Sequence, residues 1–324
     1  MNEIWTIGRI LKWTESFFKE KGIESPRLDA EVLLGHILKK ERIYLYVHFD
    51  EPLQPTELAA YREAIKQRVQ RVPVAYIIGT REFMGLPFQV TEDTLVPRPD
   101  TEILVQAAIE RLKEKSGGEA GAPTEEPADA AESETNGTAT HPVRFADIGT
   151  GTGAICLSVL KYLPSATADT VDISAPARKV AEANAAALGL TERVTFYTGD
   201  LLTPLCEAQV RAAEDGTGDM RYDAILSNPP YIPDADIEQL APEVRCKEPR
   251  TALAGGPDGL AFYRRLVKDS PALLKDDGFL AVEVGIHQAQ AVAQMAKDSG
   301  AFARTEILKD YGGIERVVVA WKNE

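Results

Sequence analysis

The chain has 324 residues, long enough for two domains, with a formal net charge of −14 and a pI of about 4.9. That balance argues against a general nucleic-acid binder, because phosphate contacts need stripes of Lys and Arg; it suits a basic protein partner, or solubility alone. Cys156, Cys206 and Cys246 are widely separated, the four histidines are scattered, and neither a membrane-length apolar run nor a signal peptide is evident, so we expect no metal site, no membrane and a reducing cytoplasm.

Residues 1–72 read as a small helical domain. Ile7, Ile10, Leu11, Phe17 and Phe18 share one helical stripe. Ser25-Pro26 reads as an N-cap followed by proline at the first helical position, leading into Leu28, Val32, Leu33 and Ile37, and Leu58, Tyr61, Ile65 and Val69 mark another helix. These stripes are core seams first, with substrate docking as a second use. Residues 73–97 read as a connector, with strand-like pieces over 74–91 broken at Gly79-Thr80 and Gly85, which suggests a β-hairpin.

A third region, 98–324, begins at Pro97-Arg98-Pro99 and a helix from about Thr101 to Lys115. Arg98 and Glu102 are either a structural ion pair or residues facing a cleft. From 116 to 142 the chain turns to Gly, Ala, Pro, Ser, Thr and Glu, without Lys or Arg, and is expected to be a disordered acidic insertion.

Beyond it, strand and helix patterns alternate, as in a mostly parallel α/β sheet. Val143 to Ala146 leads into Asp147-Ile148-Gly149-Thr150-Gly151-Thr152-Gly153-Ala154, followed by a helical pattern at Ile155, Leu157, Val159 and Leu160. Strand, glycine turn and helix in that order make a ligand cradle, although Gly149-x-Gly151-x-x-Ala154 also satisfies the dinucleotide fingerprint. Asp172, 23 residues past Gly149, ends a second strand and suits a carboxylate accepting ribose hydroxyls. A third strand, Arg193 to Thr198, ends at Asp200-Leu201, and a fourth ends at Asn228. Since ligands sit at the carboxyl ends of such strands, Asp147, Asp172, Asp200 and Asn228 are expected to converge. Several carboxylates, with no Arg or Lys in the glycine turn, suit a sulfonium cation bearing an adenosine better than a pyrophosphate, which points to S-adenosylmethionine.

Asn228-Pro229-Pro230-Tyr231 is built to hold a planar nitrogen. Such a nitrogen shares its lone pair with a carbonyl or ring and attacks poorly unless both N–H groups are held. The Asn228 side-chain carbonyl supplies one acceptor and the Pro229 backbone carbonyl another; Pro230 stiffens the turn, and Tyr231 offers a flat face. An Asp at 228 would bury a charge that Asn avoids. Further on, Glu248 to Gly259 is rich in Gly and Pro and either borders the substrate entrance or simply connects. Gly278 to Val284 reads as a fifth strand, with a terminal hairpin of Thr305 to Leu308 and Arg316 to Trp321 around Gly312-Gly313.

Taken with Pro73-Val74-Ala75-Tyr76-Ile77-Ile78-Gly79, Arg81-Glu82-Phe83, Pro97-Arg98-Pro99-Asp100-Thr101-Glu102, Glu248-Pro249, Tyr311-Gly312 and Glu315-Arg316, the glycine turn and the Asn-Pro-Pro-Tyr corner make nearly the whole chain resemble the HemK/PrmC family. These are N5-glutamine methyltransferases that modify peptide chain release factors. The resemblance implies a class I S-adenosylmethionine-dependent methyltransferase fold, Rossmann-like, with an antiparallel last strand, preceded by the small helical domain. It further implies that Gly149, Thr150, Gly151, Thr152, Gly153 and Asp172 hold the cofactor, that Asp200 and Leu201 lie along the adenine, and that Asn228 to Tyr231 grip the glutamine of a Gly-Gly-Gln loop. The expected partner is a release factor, met by a monomer without direct nucleic-acid contact. An adenine-N6 nucleic-acid methyltransferase is the alternative, since an exocyclic amine presents the same two N–H groups; a dinucleotide-dependent oxidoreductase would rest on the glycine turn alone.

Overall fold

The computed structural model describes residues 4–117, 141–216 and 219–323, so residues 118–140, most of the expected acidic insertion, lie outside the described residues. The chain forms two compact units, one running to Thr80 and including 240–247, the other comprising Arg81–Gln239 and everything from Glu248 onward.

The first unit is helical: α1 (Ile7–Glu20), α2 (Pro26–Leu38), α3 (Arg42–Val47), α4 (Pro55–Val69) and α5 (Val74–Ile78). Ile7, Ile10, Leu11 and Phe18 of α1 meet Leu33 and Leu34 of α2 and Tyr61 and Ile65 of α4 in one core. The seam of α2 is not the one expected from its apolar residues, because Leu28 is 45% exposed while Glu31 is fully buried. Burial opposes the charge of Glu31, yet hydrogen bonds from Tyr46, Arg42 and Arg27 hold its carboxyl below the usual range. Trp13 is half exposed, stacked on Phe17 rather than sunk in the core. Val74–Ile78, strand-like in composition, is a helical turn that starts after Pro73 and is closed by left-handed Gly79, whose N–H donates to Ala75 O at 2.8 Å.

In the second unit a short hairpin, β1 (Thr80–Phe83) and β2 (Leu86–Gln89), precedes α6 (Glu102–Lys115). Next in the chain are β3 (Arg144–Ile148), α7 (Ala154–Tyr162), β4 (Thr167–Asp172), α8 (Ala175–Leu188), β5 (Val194–Thr198), α9 (Thr203–Asp215) and β6 (Tyr222–Ser227). After α10 (Pro242–Lys247), which belongs to the first unit, come α11 (Ala261–Asp269), β7 (Leu274–Glu283), α12 (Ala289–Asp298), β8 (Arg304–Lys309) and β9 (Glu315–Trp321). The sheet order is β5-β4-β3-β6-β7-β9-β8, parallel from β5 to β7, with β9 antiparallel to both its neighbours. The mostly parallel sheet closed by an antiparallel last strand is therefore present.

Alternation along the strands builds two cores. Phe145, Ala224, Leu226, Phe279 and Ala281 face one, with α6 and α7; Ala146, Ile148, Ile225, Leu280 and Val282 face the other, with α11 and α12. The chain leaves β3 for β4 on one side and returns to β6 on the other, so a crevice opens at the carboxyl ends of β3 and its neighbours. Ser174 caps α8 by accepting from Ala177 N, and left-handed Gly189 ends it.

One buried amide ties the hairpin to the crevice. Asn184 of α8 accepts from Gln89 N at 2.7 Å and donates to Gln89 O at 3.0 Å and to Thr152 O at 2.9 Å. Asn184→Ala leaves these groups unpaired in a buried setting, so unfolding of the second unit by denaturant should be easier by about 2–4 kcal/mol. An unchanged midpoint would mean that water replaces the amide.

Candidate active site

The crevice is a cavity of about 480 Å3, and every residue lining it belongs to the second unit. Its floor is the glycine turn. Gly149, Gly151 and Gly153 all have left-handed φ, at 82°, 54° and 81°, which gives the alternating glycines their reason. Gly149 N and Thr150 N donate to Val171 O at 2.8 and 3.2 Å, fastening the turn to the end of β4. Buried Thr150 also meets the Thr170 hydroxyl.

Asp172 is fixed from two sides. Its Oδ2 accepts from Gly151 N and its Oδ1 from Ser174 N, both at 2.8 Å, and the residue stands on the cavity wall. Each oxygen retains accepting capacity, so a preset carboxylate faces the cavity without having to be ordered by a ligand. Next along the wall, Leu201 adopts a left-handed φ of 49°, rare for a leucine, and presents an apolar surface together with Ile173. Asp200 lines the cavity too, but its carboxylate is held by Arg265 at 3.0 and 2.7 Å.

The expected quartet of strand-end groups is thus brought together only in part. Asp172, Asp200 and Asn228 share the wall, whereas Asp147 is fully buried behind it. Burial pushes its carboxyl up to about 8, against a hydrogen bond from Cys156 N at 3.2 Å and with a contribution from the nearby charge of Asp172. Its Oδ1 has no hydrogen-bond partner among the described residues. Cations also enter from segments that the glycine turn does not reveal: Arg98 and Arg250 line the cavity. Arg98 does not pair with Glu102. It reaches both oxygens of buried Glu248 at 2.7 Å, while Glu102 accepts from Met84 N at 2.9 Å.

The Asn-Pro-Pro-Tyr corner lies beside the glycine turn because β6 and β3 are parallel neighbours, with Ser227 opposite Ile148 and the Ser227 hydroxyl donating to Ile148 O at 2.6 Å. Asn228 and Pro230 are on the wall; Pro229 is buried and is not among the lining residues. The Asn228 Nδ2 donates to Thr101 Oγ1 at 3.2 Å. The Tyr231 side chain is packed against the α11–α12 core, and its hydroxyl, pushed up to about 12 by burial and then by the charge of Glu283, stays protonated.

The backbone after the corner is clamped. Ile232 N donates to Leu253 O at 3.0 Å, Gly255 N to Ile232 O at 2.8 Å, and Gln288 Nε2 to Tyr231 O at 2.9 Å. The Gly- and Pro-rich stretch therefore borders the cavity, through Pro249 to Ala252 and Ala254. Arg265, Gln288 and Glu283 carry no local motif, and Thr101, although inside Pro-Arg-Pro-Asp-Thr-Glu, gives no sign in sequence of its bond to Asn228; of the clamp, only the glycines at 255 and 259 left a trace in the sequence.

Matches to known proteins cover both units. The family model described as PrmC N-terminal domain matches residues 9–79, and that described as methyltransferase small domain matches 136–256. The release factor glutamine methyltransferase of Geobacter sulfurreducens is 43% identical over 316 residues, 98% of this chain and 96% of the relative. That of Moorella thermoacetica is 41% identical, covering 94% of each. Among solved structures, the hMettl16 catalytic domain in complex with a MAT2A 3'UTR hairpin aligns with a TM-score of 0.52 at 14% identity, over 81% of this chain and 83% of that one, a likeness of fold.

A Cβ at Gly259, where φ is +72°, would lie 2.3 Å from Tyr231 O and 2.6 Å from Gln288 Nε2. Gly259→Ala should therefore displace the corner and lower turnover roughly 10²-fold, the usual consequence of misplacing a reacting group by about 1 Å. Wild-type turnover in that variant, measured with saturating substrates, would show the clamp to be dispensable.

Proposed function

The chain belongs to the release factor glutamine methyltransferase family, and from that premise we propose that it transfers the methyl group of S-adenosylmethionine to the side-chain amide nitrogen, N5, of the glutamine in the Gly-Gly-Gln loop of class I peptide chain release factors. The observation that carries this reading is the placement, on the wall of one cavity, of a fixed carboxylate, Asp172, and of a corner whose first residue, Asn228, turns its amide nitrogen away toward Thr101.

The cavity suits the cofactor. Its volume lies in the range of small-molecule sites, its wall offers apolar Ile173 and Leu201 to a base, and Asp172 is a ready acceptor for ribose hydroxyls. In this reading the turn Gly149-Thr150-Gly151-Thr152-Gly153 lets the ligand approach the backbone, and Asp200 and Leu201 run along the adenine. Asp147 contributes from behind the turn. When bound, the cofactor supplies a methyl group on a positively charged sulfur, open to in-line attack.

Asn228 accepts one N–H of the glutamine amide through its side-chain carbonyl, and Pro229 accepts the other through its backbone carbonyl. The two hydrogen bonds turn the amide lone pair toward the methyl and hold it there. Orientation of this kind is worth up to about 7–11 kcal/mol of barrier. No strong base is needed, because the nitrogen becomes acidic only once it carries the methyl. Pro230 and Tyr231 keep the corner rigid.

Residues 1–72 dock the release factor, and 73–97 connect them to the methyltransferase region of 98–324. Ile43, Tyr46 and Val47 on α3 are exposed and apolar, which suits a protein partner. The acidic charge favours a basic partner over nucleic acid and disfavours the adenine-N6 alternative. Among the described residues no helix is long and apolar enough to cross a membrane. We place the enzyme in the cytoplasm, as a monomer.

With a purified release factor and labelled cofactor, Asn228→Ala should lower turnover by roughly 10²–10³-fold, as for loss of one positioned transition-state hydrogen bond, while cofactor affinity stays near wild type. Equal losses of rate and affinity would contradict this division of labour. Asp172→Ala should weaken the cofactor about 10–100-fold in calorimetry. Unchanged affinity would remove Asp172 from the cofactor site.

A further inference from the structure

A positive charge on the wall opposes the cofactor read into this cavity, because the sulfonium is itself a cation. Of the charged residues lining the cavity, Asp93, Asp200 and Arg250 are exposed, and water screens them; Asp200 is in addition paired with Arg265. Asp172 and Arg98 are half-buried, so their charges act on a bound ligand through less water and more strongly. Asp172 is an anion and helps. Arg98 is a permanent cation, since a guanidinium does not lose its proton in a protein.

The backbone keeps Arg98 where it is. It stands between Pro97 and Pro99, whose rings fix their own φ, and its carbonyl accepts from Thr101 N at 3.1 Å. The charge is met from behind instead. Arg98 Nη2 donates to both carboxylate oxygens of Glu248 at 2.7 Å, the length of a charge-assisted bond. The Glu248 side chain is 1% exposed, and Arg98 is its only side-chain partner among the described residues. Burial pushes the Glu248 carboxyl up, and the charge and hydrogen bonds of Arg98 oppose that.

A brace between two loops would explain the contact but not its charge. The wall segment after Glu248 is fastened by its own backbone: Ala252 N donates to Pro249 O at 2.9 Å, and Leu253 N and Ala254 N donate to Arg250 O at 3.0 and 2.9 Å. Leu253 O and Gly255 N are both bonded to Ile232. A neutral amide at 248 would accept from Arg98 as a carboxylate does, without the desolvation that a buried carboxylate costs. What a carboxylate alone supplies there is negative charge.

We propose that buried Glu248 is the counter-ion that cancels Arg98 on the cavity wall, so that the cavity takes a cationic cofactor as readily as a neutral one. Glu248 acts through Arg98, as a positioning residue. This rests on the reading of the cavity as the S-adenosylmethionine site.

The test is titration calorimetry on the full chain, with S-adenosylmethionine and S-adenosylhomocysteine as separate ligands, which differ by one methyl and one positive charge. Glu248→Gln keeps an acceptor for Arg98 and removes the negative charge. It should weaken S-adenosylmethionine about 10-fold, the scale of one uncompensated unit charge across a small cavity at the effective dielectric of a protein, and S-adenosylhomocysteine by no more than about twofold. Arg98→Met/Glu248→Gln removes both charges together. In that variant the ratio of the two affinities should return to within about twofold of wild type.

Equal weakening of both ligands by Glu248→Gln would make the pair a brace and overturn the proposal, as would unchanged affinity for both. A ratio in the double variant that differs from wild type by more than about fivefold would overturn it too, and that comparison decides the matter even if Glu248→Gln alone does not fold. The cofactor reading fails by a different result: if the wild type binds neither ligand, or if Asp172→Ala leaves both affinities unchanged, the cavity is not the cofactor site and the counter-ion role falls with it.

Discussion

The site depends on the parallel pairing of β3 with β6. Ile148 and Ser227 end that ladder opposite each other, joined by the Ser227 hydroxyl to Ile148 O at 2.6 Å. The segments leaving the two strands must therefore emerge side by side. The chain leaves β3 in a turn of left-handed glycines and leaves β6 in Asn-Pro-Pro-Tyr. The glycine turn and the Asn-Pro-Pro-Tyr corner are adjacent because of strand register, before any side chain chooses a rotamer. Sheet order adds Asp172 from β4, on the other side of β3, and Glu283 from β7, on the other side of β6. The first reaches the cavity; the second stays buried behind the corner.

Rigidity in this region comes from buried polar groups each committed to several partners. Asp172 has both oxygens bound to backbone N–H groups of two different turns. Asn184 ties β2 to the glycine turn with three hydrogen bonds, and Gln288 holds the Tyr231 carbonyl while accepting from Gly285 N at 3.0 Å. Networks of this sort contribute modestly to net stability, but they penalise every alternative arrangement by leaving a buried group unpaired. That is the property a methyltransferase acting on an amide needs, since its substrate nitrogen is reactive only in one orientation.

Much of this is legible in sequence where the chemistry is local. The glycine turn, the succession of strands and helices along the chain and the corner itself are each written into runs of consecutive residues. The helical seams of the first unit are legible only in part. Val74–Ile78 has strand-like composition and is helical because Pro73 and Gly79 bound it, and α2 buries Glu31 in preference to Leu28 because two arginines and a tyrosine supply the donors. The pairings that orient the site join residues far apart in the chain: Thr101 with Asn228, Arg98 with Glu248, Asp200 with Arg265. No spacing announces them, and Asp147 looked like a wall residue because its neighbours in the motif are.

If the Asn228 side-chain carbonyl and the Pro229 backbone carbonyl hold the glutamine amide beside a cofactor anchored at Asp172, a crystal structure of the protein with S-adenosylhomocysteine and a Gly-Gly-Gln peptide will show it. The ribose hydroxyls should lie on Asp172. The glutamine nitrogen should lie within hydrogen-bonding distance of both the Asn228 side-chain oxygen and the Pro229 carbonyl, with Asn228 Nδ2 still on Thr101. A glutamine nitrogen bound elsewhere, or a ribose away from Asp172, contradicts that arrangement.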